Sequence, residues 1–171
     1  ITLGRLSNSF PDAQNVIRSM PNTPGQIGEG ITGFVFLNSP NQSEHRLVTN
    51  ILSSLGESFE LKSEEDIDRI TAISGSGPAY LFEFTCALEC AAKEIGLPEK
   101  LANKFALQTV TGASKLLAVS GLHPEELRDQ VTSPKGTTQA ALESLEKNNL
   151  RKIVQDAVEA AKARSIELSN A

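Results

Sequence analysis

The 171-residue chain has no tryptophan, one tyrosine, one methionine, two cysteines and two histidines. Each scarcity excludes something. Cys86 and Cys90 lie four apart on a predicted helix. That spacing puts them on one face with Cβ atoms about 5–6 Å apart, too far for an unstrained disulfide. They read as two buried thiols in a reducing, cytoplasmic setting. His45 and His123 are far apart and no Cys/His cluster exists, which argues against a zinc site. Both read as structural or exposed. No apolar run approaches a membrane span, so no membrane is expected as a partner. No basic block is present, and 16 Lys and Arg stand against 21 Asp and Glu, a net charge of −5. Nucleic acid and anionic membrane surfaces are therefore poor partners. No secretory signal is visible, although the chain begins at Ile1 without Met, so an upstream segment could have carried one. The length suffices for one sizeable core or two small lobes.

What is present centres on Val131-Thr132-Ser133-Pro134-Lys135-Gly136-Thr137-Thr138. Thr132 and Ser133 are N-cap types, and Pro134 has the fixed φ of a first helical position. A helix is expected to follow through Leu145. Such a turn gathers unpaired N–H groups, hydroxyls and one ammonium. It is either an ordinary capped helix start or a receptor for a small anion, a carboxylate or phosphate.

Upstream, Leu3, Leu6 and Phe10 have helical spacing with no evident cap. Asn15–Met20 reads as a strand, and Pro21-Asn22-Thr23-Pro24-Gly25 as a stiff loop at its carboxyl end, where open α/β sheets bind ligands. Gly28-Glu29-Gly30-Ile31-Thr32-Gly33 matches G-x-G-x-x-G. The β-prone Phe34–Leu37 follows it, not a helix, so the dinucleotide fingerprint is rejected. A helix over 42–55 and a strand over 58–61 complete what resembles the tail of an α/β domain.

From Ser63 onward the pattern is all helical. Helices are expected over 79–95, 99–119, 124–130, 137–146 and 150–168. The first is apolar on nearly every face, which requires burial on all sides. Either this chain's own bundle or a second chain covers it. Gly75 and Gly77 fit close helix packing or a ligand's approach.

Taken together, Met20-Pro21-Asn22-Thr23-Pro24, Ser74-Gly75-Ser76-Gly77-Pro78-Ala79-Tyr80 and Thr132-Ser133-Pro134-Lys135-Gly136-Thr137-Thr138 resemble pyrroline-5-carboxylate reductase. The resemblance implies the α/β tail of a Rossmann-like domain over residues 1–62. An all-α helical dimerisation and substrate-binding domain would follow over 63–171. It implies reduction of Δ1-pyrroline-5-carboxylate to L-proline with NADPH or NADH, by a homodimer or larger homo-oligomer. Ser133, Gly136, Thr137 and Thr138 would hold the substrate carboxylate, and the Thr138 hydroxyl would face the ring nitrogen as the catalytic group. Met20, Pro21, Asn22 and Thr23 would border the nicotinamide. The family usually has Gly where this chain has Lys135, and the true glycine-rich fingerprint is missing. The chain thus looks like the last two-thirds of such an enzyme. Two rivals stay open. One is a related hydroxy-acid reductase using Lys93, Lys104 or Lys115. The other is an inactive helical oligomerisation module.

Overall fold

The computed structural model describes residues 1–170. Three strands and eight α-helices are present among them. The chain divides into two compact units. The first comprises Ile1–Ala79 and the C-terminal segment from Gln155, and the second is Tyr80–Val154.

In the first unit, α1 (Leu3–Ser9) is capped by Thr2, whose Oγ1 accepts the Arg5 N–H. The sequence pattern had offered no cap here, because a single threonine at the chain's start carries little signal. Strand β1 (Ile17–Met20) pairs antiparallel with β2 (Gly30–Phe36). Strand β2 pairs in parallel with β3 (Gly56–Glu60), and the helix α2 (Gln42–Leu52) makes the crossover that parallel pairing needs. Asn41 caps α2 in a reciprocal box with Glu44. The helix tightens at Ser53–Leu55 into a 3₁₀ turn before Gly56, whose φ of 127° suits only glycine.

Alternation along β2 sends its residues to two faces. Phe34 and Phe36 meet edge to face at 5.7 Å and lie against the His45 ring of α2. Val35 points the other way, into a core with Leu3, Val16 and Ile67, backed by Met20, Leu61 and Ile70. Ile67 and Ile70 belong to α3 (Glu65–Ile70). Its continuation, Thr71–Gly75, is wound as a π-helix.

Of the three glycines of the rejected fingerprint, one serves a turn and two serve packing. Gly28 ends a 3₁₀ turn at φ 75°. A Cβ at Gly30 would lie 2.6 Å from the Leu55 carbonyl oxygen. One at Gly33 would collide with Ile70 Cδ1. Its last four residues, Gly30–Gly33, lie in β2, and the stretch opens no helix.

The C-terminal end of α8 (Leu150–Asn170) is tied into this unit by charge. Arg18 donates to Glu64 at 2.8 Å and to Ser169 Oγ at 3.2 Å, while Ser165 Oγ donates to Asp68 at 2.6 Å. Glu64 also accepts the Leu3 N–H, so one carboxylate joins α1 to β1.

The second unit holds most of α4 (Gly77–Glu94), then α5 (Glu99–Ser120), α6 (Pro124–Gln130), α7 (Thr137–Lys147) and the start of α8. Only Ala102 and Ala106 are buried among its described residues. Cys86 and Cys90 are free thiols and exposed. This corrects the buried-thiol expectation: an apolar pattern reports that a face is to be covered, not that this chain covers it. No helix among the described residues is long and apolar enough to cross a membrane.

Candidate functional site

The turn before α7 is built differently from the capped helix start that the sequence suggests. The helix begins at Thr137, its N-cap is Gly136, and no side chain caps it. Pro134 therefore sits in a turn ahead of the helix, not at its first position. The turn closes with the Gly136 N–H donating to the Ser133 carbonyl at 3.0 Å. The physical reason is Lys135, whose φ of 61° is left-handed and cannot continue a helix. Thr132 is no cap either: its hydroxyl donates back to the Arg128 carbonyl at 2.6 Å, finishing α6.

This geometry leaves the start of α7 open. The N–H groups of Thr137, Thr138 and Gln139 fall in its first turn, where the residues four back lie outside the helix and their carbonyls do not receive them. Among the described residues the Ser133, Thr137 and Thr138 hydroxyls have no hydrogen-bond partner. Ser133 and Thr137 are exposed and Thr138 is half-buried. A Cβ at Gly136 would meet Ser133 Oγ and come within 3.0 Å of the Ser133 carbonyl oxygen, so glycine there lets the Ser133 hydroxyl keep its place. All four residues expected to hold a carboxylate thus share one turn at the positive end of an 11-residue helix. The Lys135 ammonium is exposed and has no acidic partner among the described residues.

The sequence reading missed Gln139. Its Oε1 accepts the Lys135 N–H at 2.7 Å, and its Nε2 donates to Glu143 Oε1 at 2.7 Å. The only signal was a glutamine four residues past the lysine.

A cleft of about 880 Å³ between α6, α7 and the start of α8 is lined by Thr132, Gln139, Leu142 and Leu150, with charged walls. Four carboxylates stand there against three cations. Arg151 pairs with Glu125 at 2.7 Å, and Arg128 with Asp129 at 2.7 Å. The hydrogen bond from Arg151, aided by its charge and that of Arg128, holds the Glu125 carboxyl below its usual range. Asp129 in turn holds the Arg128 guanidinium above its usual value, chiefly by hydrogen bonding. The cleft walls therefore offer no surplus cation for an anion, and the free donors are those of the turn.

In the first unit, Met20 ends β1, Pro21 and Asn22 follow, and Thr23 opens a 3₁₀ helix. Asn22 Oδ1 accepts the Ile31 N–H at 3.0 Å, which pins the loop to β2. Met20 lies against the π-helix, its Cε only 2.6 Å from where a Cβ on Gly75 would be. The first and second sequence motifs thus meet at one place within this unit.

Residues 64–168 match the family model for pyrroline-5-carboxylate reductase dimerisation. The chain belongs to the pyrroline-5-carboxylate reductase family. It is 39% identical over 154 residues to pyrroline-5-carboxylate reductase of Pseudomonas aeruginosa, covering 90% of this chain and 56% of that protein. A solved pyrroline-5-carboxylate reductase from Coxiella burnetii superposes with a TM-score of 0.90 at 36% identity, over 98% of this chain and 62% of that one. The Plasmodium falciparum pyrroline carboxylate reductase, crystallised with NADP bound, gives 0.85 at 35% identity, over 96% of this chain and 66% of that one. The chain thus spans about 56–66% of the length of these relatives. The fold class is that of the reductase family's Rossmann-like tail and helical dimerisation region.

Proposed function

We propose that this chain carries the substrate-binding and dimerisation part of an enzyme that reduces Δ1-pyrroline-5-carboxylate to L-proline with NADPH or NADH. Residues 1–62 are read as the end of its nucleotide-binding domain and 63–171 as its helical domain. The observation that carries the reading is the uncapped start of α7, with three free N–H groups and three free hydroxyls on one turn. Membership of the reductase family supports it.

The residues fit one end of the cofactor only. The loop Met20–Thr23 sits at a strand's carboxyl end, where open α/β sheets bind ligands, and Met20 packs on the bare backbone of Gly75. The described residues offer no glycine-rich turn opening a helix for a pyrophosphate. When bound, the nicotinamide supplies the hydride to the imine carbon. The chain's own share is positioning. N–H groups of Thr137 and Thr138 and the Ser133 hydroxyl anchor the substrate carboxylate at the positive helix end. The half-buried Thr138 hydroxyl orients the ring nitrogen. A cyclic imine is basic enough to arrive protonated, so the step requires no strong acid from the protein. As hydride arrives, the ring nitrogen changes charge, and a preset hydrogen bond costs no reorganisation at that moment.

A second copy of the chain is the proposed partner, covering the exposed apolar faces of α4 and α5. The proposed compartment is the cytoplasm, where the two free thiols stay reduced.

The test is Thr138→Ala in the complete protein. Losing a hydroxyl without an intramolecular partner should change stability by less than about 0.5 kcal/mol. Losing its bond to the reacting ring should cost about 1.5–3 kcal/mol, roughly 10- to 150-fold in kcat/KM. Full kcat/KM in this variant, or a loss that only tracks its melting temperature, sinks the reading.

A further inference from the structure

The sequence of the turn has two competing outcomes. With Ser133 as N-cap and Pro134 at the first position, α7 could begin three residues earlier, as the pattern suggests. Lysine is a good helix former and favours that outcome, whereas the left-handed region penalises it. In the longer helix the N–H groups of residues 137–139 would bond to the carbonyls of residues 133–135. The donors proposed to hold the carboxylate would then be consumed. The structure shows the other outcome, with Lys135 at φ 61° and α7 starting at Thr137.

One side chain stands where it can decide between them. Gln139 Oε1 accepts the Lys135 N–H at 2.7 Å, and its amide nitrogen is braced on Glu143 Oε1 at 2.7 Å. The bond links a backbone donor of the turn to a side chain one turn into the helix. We infer that Gln139 is a positioning residue for the substrate turn, holding Lys135 left-handed so that the Thr137–Gln139 donors stay free. The inference rests on the reading of this turn as the carboxylate site. Gln139 need not touch the substrate. Its role follows from a lysine occupying a position that glycine would fill without assistance.

That dependence makes the inference testable by coupling. Gln139→Ala, Lys135→Gly and the double variant would be compared in the complete protein. KM and kcat for pyrroline-5-carboxylate would be read beside amide hydrogen exchange at residues 137–139. Losing the one hydrogen bond in Gln139→Ala should raise KM about 2- to 12-fold. The change in kcat should be smaller, because carboxylate anchoring serves ground and transition state alike. Exchange at residues 137–139 should slow as the longer helix gains population. In the Lys135→Gly background the same Gln139→Ala change should move KM by less than about 2-fold, because a glycine at this position adopts the bend unaided. Wild-type turnover with KM unchanged in Gln139→Ala, or raised equally in both backgrounds, overturns the inference alone. A wild-type protein that does not turn over pyrroline-5-carboxylate overturns the reading and the inference together.

Discussion

The two units solve the same burial problem in opposite ways. In the first, Phe34 is 1% exposed and Ile67 1%, and helices pack on both faces of a three-stranded sheet. In the second, the large apolar side chains of α4 and α5 face outward, with Phe82 62% and Phe105 60% exposed. Both units are rich in apolar residues, so composition does not separate them. The difference lies in where the covering surface comes from. Four helices with only two small buried residues among them are incomplete as a core. The proposed second copy supplies what is missing.

The largest effect that sharpens this contrast is expected from Phe34→Ala. Emptying a filled site in the first unit should cost about 3–5 kcal/mol, whatever the protein concentration. Denaturant melts at two concentrations check it, and a concentration-dependent loss would place Phe34 in shared stability. Next comes Phe82→Asp. A carboxylate forced into an apolar interface should weaken self-association by about 1.4–2.8 kcal/mol, roughly 10- to 100-fold. Sedimentation across a dilution series measures this. Unchanged association would remove that face of α4 from the interface.

The smallest effect concerns charge. Glu125 has its pKa lowered from 4.5, first by the hydrogen bond from Arg151. Asp66 in the other unit is likewise lowered from 3.8, first by the hydrogen bond from Arg69. A depressed carboxyl contributes stability that is present above its unfolded pKa and is lost as pH falls through the folded one. Both contributions should therefore vanish only below about pH 4. Arg151→Gln should move the Glu125 titration upward, read by carboxyl carbon NMR, and leave Asp66 where it was. A shift in both would mean the pairs are coupled.

How far the sequence could be read follows the same division. The β-prone run at Phe34–Phe36, the start of α2 at Gln42 and the ends of α6 were legible, because each signal lies close in the chain. The carboxylate turn was legible as chemistry but not as geometry. Ser133 and Pro134 argue for a helix start at that point, and nothing local announces that Lys135 turns left-handed. Gln139 was missed because its partner is a backbone N–H that a helix would have oriented elsewhere. The thiols of α4 were placed in a core because the pattern around Leu81, Phe82 and Phe84 demands cover. Only the fold shows that this chain alone leaves those three exposed.

The claim on which the account turns is that the helical unit is completed by a second copy. Sedimentation equilibrium of the chain at micromolar concentration tests it most directly. The account predicts a species of about twice the 18.3 kDa chain mass, or a higher multiple. A single well-folded species at 18.3 kDa would contradict it.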